Sequence, residues 1–190
     1  LRLTLPKFII KFTGDLYINK LPLWLVYKPK HHKVKGYEIR KIIDIIQPGD
    51  ILLRRVDGYL STMFIPGYWS HAGLYVDSGD VIHAIGIGVI KEDILDFCRC
   101  DAITILRIKN SSKEMINNAI KFAIKEEIDK IGYDYQFRDN NGKVYCTELV
   151  NLCYNDIFRE DFIEEFGNIT LSPESIFNSK KIDKVLVFKH

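Results

Sequence analysis

A charge imbalance is the first thing this sequence lacks: 27 Lys and Arg stand against 25 Asp and Glu, a formal charge of +2. With no basic surplus and no basic stripe interleaved with aromatics, there is no electrostatic footprint for nucleic acid, and that partner is excluded. Four cysteines in 190 residues do not read as a disulfide framework. Cys98-Arg99-Cys100 has no second Cys/His pair at zinc spacing, so neither a metal nor a cofactor is expected. No apolar run approaches the ~20 residues of a membrane span. No small-residue cleavage site completes a signal peptide. Internal repeats and low-complexity tracts are missing as well. What is present is ordinary: 47% hydrophobic and 12% aromatic residues, enough for one buried core.

Residues 1–45 read as an N-terminal extension, largely helical, and 46–190 as the main domain. The extension carries apolar clusters such as Leu21-Pro22-Leu23-Trp24-Leu25-Val26-Tyr27, then basic Lys28, Lys30, His31, His32, Lys33 and Lys35. A helix packed on the domain is the expected form, with peripheral contact to a membrane surface as the other reading. Gln47-Pro48-Gly49-Asp50 is a turn signal, and Ile51–Val56 after it predicts a strand. Further strands are expected at Ser70–Val76, Val81–Ile85, Ala102–Ile108 and Lys184–Phe188, with a connecting segment over Gly58–Pro66. Ser111 and Glu114 make a capping pattern for a helix over 112–130, whose apolar spacing runs Ile116, Ala119, Ile120, Ala123, Ile124, Ile128. A second helix starts at Cys146, with Leu149, Val150, Cys153 and Ile157 on one face. Strands grouped before and after helices predict an α+β fold with an antiparallel sheet.

Two residues look chemical. Cys146 stands at a helix N-terminus, where unpaired N–H groups, the helix dipole and a nearby imidazolium favour a thiolate nucleophile. His71 lies in a strand whose parity puts His71, Gly73 and Tyr75 on one face and Ala72, Leu74 and Val76 on the core face. Gly73 leaves space beside His71. A three-residue loop Asp77-Ser78-Gly79 pairs Val76 with Asp80 and Gly73 with His83, so His71 and His83 meet diagonally on one face. Cys146 then attacks a carbonyl carbon, His71 moves the proton, and His83 orients the His71 ring. Buried packing of a cysteine like Cys153, or a structural strand histidine, is the bland reading of the same positions.

The set Gln47-Pro48-Gly49-Asp50-Ile51-Leu52, Trp69-Ser70-His71-Ala72-Gly73-Leu74-Tyr75, Val81-Ile82-His83-Ala84, Tyr133-Asp134-Tyr135 and Tyr145-Cys146-Thr147-Glu148-Leu149, with Leu171-Ser172-Pro173 as a final short match, resembles the circularly permuted papain-like enzymes. It is similar to the bacterial YiiX/YaeF group of the NlpC-like cysteine peptidase superfamily. The resemblance covers about residues 46–173. It implies a small antiparallel sheet packed against the helix that carries the cysteine, and a triad at Cys146, His71 and His83. Close relatives usually carry glutamate at the third position, where this chain has His83. Glu148 projects to another face of its helix, and Asp134 reads as a turn residue between core tyrosines.

The resemblance implies a thiol hydrolase that forms an acyl-thioester on amides, such as cell-wall peptides or amino-acid amides. A lipid-directed acyltransferase or phospholipase of the same fold is the nearest alternative, and a non-catalytic binding module the more distant one. A bacterial cytoplasmic and a cell-envelope location both stay open.

Overall fold

Ile51, Leu52 and Leu53 are all fully buried, although consecutive strand residues point to opposite faces. Their strand, β3 (Ile51–Arg55), is central in a six-stranded antiparallel sheet covered on both sides. The computed structural model describes residues 16–19, 24–27, 32–57, 65–135, 142–165 and 168–190.

The chain divides into two compact units, Leu1–Lys33 and Val34–His190. In the first unit the backbone of β1 (Leu16–Asn19) pairs antiparallel with β2 (Trp24–Tyr27). Trp24-Leu25-Val26-Tyr27 is therefore a strand where a helix was expected; aromatic and β-branched residues after Pro22 favour that form. Lys28, Lys30 and His31 lie outside the described residues. Helix α1 (Gly36–Ile45) falls in the second unit. The boundary drawn at residue 45 thus cuts through that unit, in which Ile42 is fully buried. No helix among the described residues is long and apolar enough to cross a membrane.

In the second unit the remaining strands of the large sheet are β4 (His71–Asp77), β5 (Asp80–Ile85), β6 (Gly88–Asp93), β7 (Ala102–Ile108) and β12 (Ile182–Phe188). The order is β12-β7-β3-β4-β5-β6. One face carries Leu53, Ala72, Leu74 and Ile82 and packs on α3 (Lys113–Ile128) and α4 (Cys146–Cys153) through Ala119, Ala123, Leu149 and Val150. The other carries Leu52, Tyr75, Val81 and Ile105 and packs on Ile42 of α1 and on Ile94 and Phe97 of the short α2 (Ile94–Phe97). The small elements are β8 (Gly132–Tyr133), β9 (Lys143–Val144), β10 (Ile163–Glu165), β11 (Asn168–Thr170) and α5 (Pro173–Asn178).

Local chemistry explains the corrections. Ser112, one residue later than expected, caps α3 by accepting from Met115 N–H at 3.1 Å. Ser111 instead donates to the Ile108 carbonyl. Ala119 and Ala123 form the buried stripe, while Ile124 and Ile128 are exposed, because alanines let the helix approach closely. Helix α4 stops at Cys153, so Ile157 packs on the core from a turn. The β4–β5 connection is two residues, Ser78 and Gly79, both at positive φ, which suits a tight hairpin. Asp77 pairs with Asp80, and a register shift after Tyr75 restores the pairing expected further along the strands. Most of the Gly58–Pro66 connection lies outside the described residues.

Candidate active site

Arg54, His71, Gly73, His83 and Glu92 come from four adjacent strands and share one face by register alone. Arg54 is opposite His71, and Glu92 is opposite Val81, diagonal to His83. Leu74 opposite Ile82 carries Gly73 to His83. Opposed and diagonal neighbours on one face are within side-chain reach. The two histidines do meet: His71 Nε2 lies 2.7 Å from His83 Nδ1. Their rings stand edge to face, with centroids 5.0 Å apart.

Phe97 forms the wall behind them, 6.0 Å from the His71 ring and 5.3 Å from the His83 ring, centroid to centroid. It occupies the space expected beside Gly73. Arg54 lies over the same phenyl ring at 4.1 Å. Its Nη1 donates to Glu92 Oε2 and to the Phe97 carbonyl, each at 3.1 Å. Glu92 Oε2 also lies 3.2 Å from His83 Nε2. That approach is off the ring's N–H axis, so His83 Nε2 has no aligned hydrogen-bond partner.

Cys146 opens α4, whose N-terminus is capped by the Glu148 carboxylate on Tyr145 N–H at 3.3 Å. This occupies Glu148 away from the histidines. The thiol is buried on the Ala72 face of the sheet. His71 belongs to the opposite face, at the end of its strand. There the β4–β5 ladder stops at Leu74–Ile82, and β4 begins at His71. The backbone N–H of Ala72, the residue after His71, acts on the sulfur together with those of Thr147 and of Cys146 itself. Tyr133 stands nearby: burial first, and then the charge that Cys146 carries once ionised, push its phenol pKa up. It is half-buried and packs against the core as expected, whereas Tyr135 is exposed. Cys153 is buried two turns further down the helix.

The electrostatics correct one expectation. Burial pushes the Cys146 thiol above its ordinary value, outweighing the N–H groups and Arg54, which pull it down. Burial also holds His71 well below the usual imidazole value, helped by His83 and Arg54. His83 is lowered by burial and by Arg54, while the Glu92 contact opposes them. The resting pair is therefore a neutral thiol and a neutral imidazole. The helix dipole does not make a standing thiolate here, because the sulfur is too far from water.

Arg54, Glu92, Phe97 and Tyr133 were missed in the sequence. Gly86-Ile87-Gly88 is a turn signal, and treating Val89–Asp93 as a returning strand would have set Glu92 beside His83. Nothing local marks Phe97.

With this geometry in place, residues 45–187 match the family model of the permuted papain-like amidase enzymes, YaeF/YiiX, C92. The chain belongs to this family. The match runs past Pro173 through most of β12. The fold of this C92 family member is also that of a crystal structure described as metalloprotein yiiX from Escherichia coli O157:H7. The TM-score is 0.63 at 17% identity, over 76% of this chain and 98% of that one. No curated protein matches. Among the described residues no group of three or more His, Cys, Asp or Glu side chains is placed to hold a metal ion.

Proposed function

We propose that this chain is a cysteine-dependent amide hydrolase in which Cys146 attacks the carbonyl carbon, His71 is general base and then acid, and His83 positions His71. One observation carries the reading: His83 engages Nε2 of His71 at 2.7 Å, leaving Nδ1 as the free base, while the next residue's N–H acts on the Cys146 sulfur. As the C–S bond forms, the thiol proton passes to Nδ1. The same nitrogen returns it to the leaving amine as the C–N bond breaks, giving an acyl-thioester that water hydrolyses. Backbone N–H groups at the start of α4 face the developing oxyanion.

Peptides or amino-acid amides, including cell-wall peptides, are the favoured substrates. A cavity of about 400 Å³ is lined by Gly67, Glu160, Asp161, Ser172, Glu174 and Asn178, among others. Leu171, beside Ser172, bonds both neighbours of Cys146: its N–H donates to Tyr145 Oη, and its carbonyl accepts from Thr147 Oγ1. Pro66, Phe162 and Ile163 also line the cavity, and the three carboxylates of Glu160, Asp161 and Glu174 are what favour a substrate with a free amino group.

p-Nitrophenyl acetate tests the chemistry. The reading expects a burst of p-nitrophenol with an acetyl adduct on the Cys146 peptide, lost in Cys146→Ala and slowed about 10²-fold or more in His71→Ala. Adduct formation elsewhere, or an unchanged rate in Cys146→Ala, rejects it. A panel of peptide amides against phospholipid esters then separates the substrate classes.

A further inference from the structure

We propose that Glu92, held by Arg54, is the outer end of the proton relay, so that during catalysis the positive charge rests on His83 rather than on His71. This rests on the preceding reading of Cys146 and His71. It goes beyond it by moving the charge one residue outward and assigning two further positioning residues.

The partners fix the tautomers. If His71 is to receive a proton at Nδ1, its other nitrogen carries hydrogen at rest and donates to His83 Nδ1 at 2.7 Å. His83 then carries its hydrogen on Nε2, the atom that faces the Glu92 carboxylate at 3.2 Å. When the thiol proton arrives at His71 Nδ1, the hydrogen on His71 Nε2 passes to His83 Nδ1. His71 ends neutral, with its hydrogen relocated, and His83 becomes the imidazolium. On collapse of the tetrahedral intermediate both transfers reverse, and the amine leaves with one proton. Every proton is accounted for, and no outside acceptor is needed.

Three features favour His83 as the resting place of charge. Of the two rings, His83 makes the ion pair with Glu92, whereas His71 faces Phe97 and His83. At rest His83 Nε2 lacks an aligned hydrogen bond to that carboxylate. A 3.2 Å contact that strengthens as the ring gains charge stabilises the transition state more than the ground state. Third, His83 is 1% exposed and the Glu92 side chain 27% exposed, so the relay ends where water reaches it.

Arg54 aims Glu92 and helps to keep it ionised, and its charge adds to the burial that mainly holds both histidines neutral until a proton is delivered. The titratable and charged groups around the pair are Arg54 on β3, Glu92 on β6, Cys146 on α4, Tyr133 of β8 and Cys98 after α2. Glu92 is the carboxylate among them.

The probe is iodoacetamide, with alkylation of Cys146 followed by peptide mass spectrometry in the full chain, alongside ¹⁵N spectra of its histidine rings. On acidification of wild type, the His83 nitrogens should shift before those of His71. Glu92→Gln should lower the His83 midpoint and slow Cys146 alkylation at pH 7 at least tenfold, with Glu92→Asp recovering part of it. Arg54→Gln, which removes the charge, should raise the midpoints of both histidines. Protonation of His71 first in wild type overturns the relay without needing any variant to fold. So does Glu92→Gln alkylating at the wild-type rate while His71→Ala is slowed; that outcome leaves the cysteine–histidine reading standing. Wild-type rates in His71→Ala and Glu92→Gln alike remove both.

Discussion

Phe97 fills the volume that a side chain on Gly73 would take. A Cβ built at Gly73 would sit 2.8 Å from Val81 Cγ1, closer than such atoms approach, and 3.0 Å from Phe97 Cε2, tight enough that the ring must yield. Glycine is thus required in β4 for a neighbour's sake, and the neighbour is the ring against which both histidines and Arg54 rest. A packing constraint and the site's geometry are one contact here.

Gly73→Ala should therefore destabilise the fold by about 1–3 kcal/mol, visible as a lower Tm. It should slow Cys146 alkylation even well below that Tm, because Phe97 must move and the ring pair with it. Trimming the wall in the double variant Gly73→Ala with Phe97→Leu should recover part of the rate. A melting point and rate equal to wild type in the single variant would show that Phe97 shifts without carrying the histidines.

His83→Asn tests the positioning bond by itself. Asparagine can keep an oxygen near the place of Nδ1, so His71 retains an acceptor, but nothing then faces Glu92. The expected result with p-nitrophenyl acetate is kcat lower by about 10–100-fold with KM within about twofold, the mark of an interaction made mainly in the transition state. A rise in KM at constant kcat would place His83 in substrate binding instead.

Stability should fall on both sides of neutrality. His71 and His83 have folded-state pKa values below the ordinary imidazole value. The unfolded chain therefore binds protons that the folded one refuses, and stability is lost as pH drops below about 6.5 towards the folded values. Glu92, also lowered, adds to the loss further into acid. The thiols act in the opposite direction. Burial raises Cys146, Cys100 and Cys153, and takes Cys98 up to about 12. Their contribution is present below the unfolded thiol value of about 8.5 and is lost as pH rises past it. Thermal melts from pH 5 to 10 should peak between about 7 and 8. In His71→Asn the acid side should flatten. An acid limb of unchanged steepness in that variant would mean that His71 titrates normally in the fold.

The histidine pair was legible because strand parity and one hairpin are local. Even an error in the turn did no harm: the shift after Tyr75 absorbs the residue by which the loop is shorter, leaving His83 and Gly73 in register. Cys146 was legible from its place before an apolar helical stripe. Its protonation state was not, because a helix N-terminus favours a thiolate only where water or a cation shares the site, and burial is a property of the whole packing. Glu92 was hidden for a plainer reason. Its strand, β6, mixes Val89 and Ile90 with Lys91, Glu92 and Asp93, as an edge strand does, so no clean period of two announces it. Phe97 reaches the site from α2, a four-residue helix, and no pattern that short carries a signal.

Asp50 belongs to the motif that resembles the family's, yet its place is in the scaffold. Its carboxylate oxygens accept from Arg107 Nε and Nη2 at 2.7 Å each, and Oδ2 also accepts from Gln47 N–H at 2.8 Å. These bonds close the turn before β3 and fasten it to β7. Tyr154, just past α4, also donates to the Gly49 carbonyl. Asp50 is 1% exposed and Arg107 32% exposed, so water screens one partner. Asp50→Asn should therefore cost only about 1–2 kcal/mol, near the lower end for charged hydrogen bonds. Arg107→Gln should cost about the same, and the double variant less than their sum, since both remove one interaction. At temperatures where each variant is fully folded, Cys146 alkylation should stay within about twofold of wild type. Slow alkylation in folded Asp50→Asn would instead tie this end of β3 to Arg54 four residues on, and through it to Glu92.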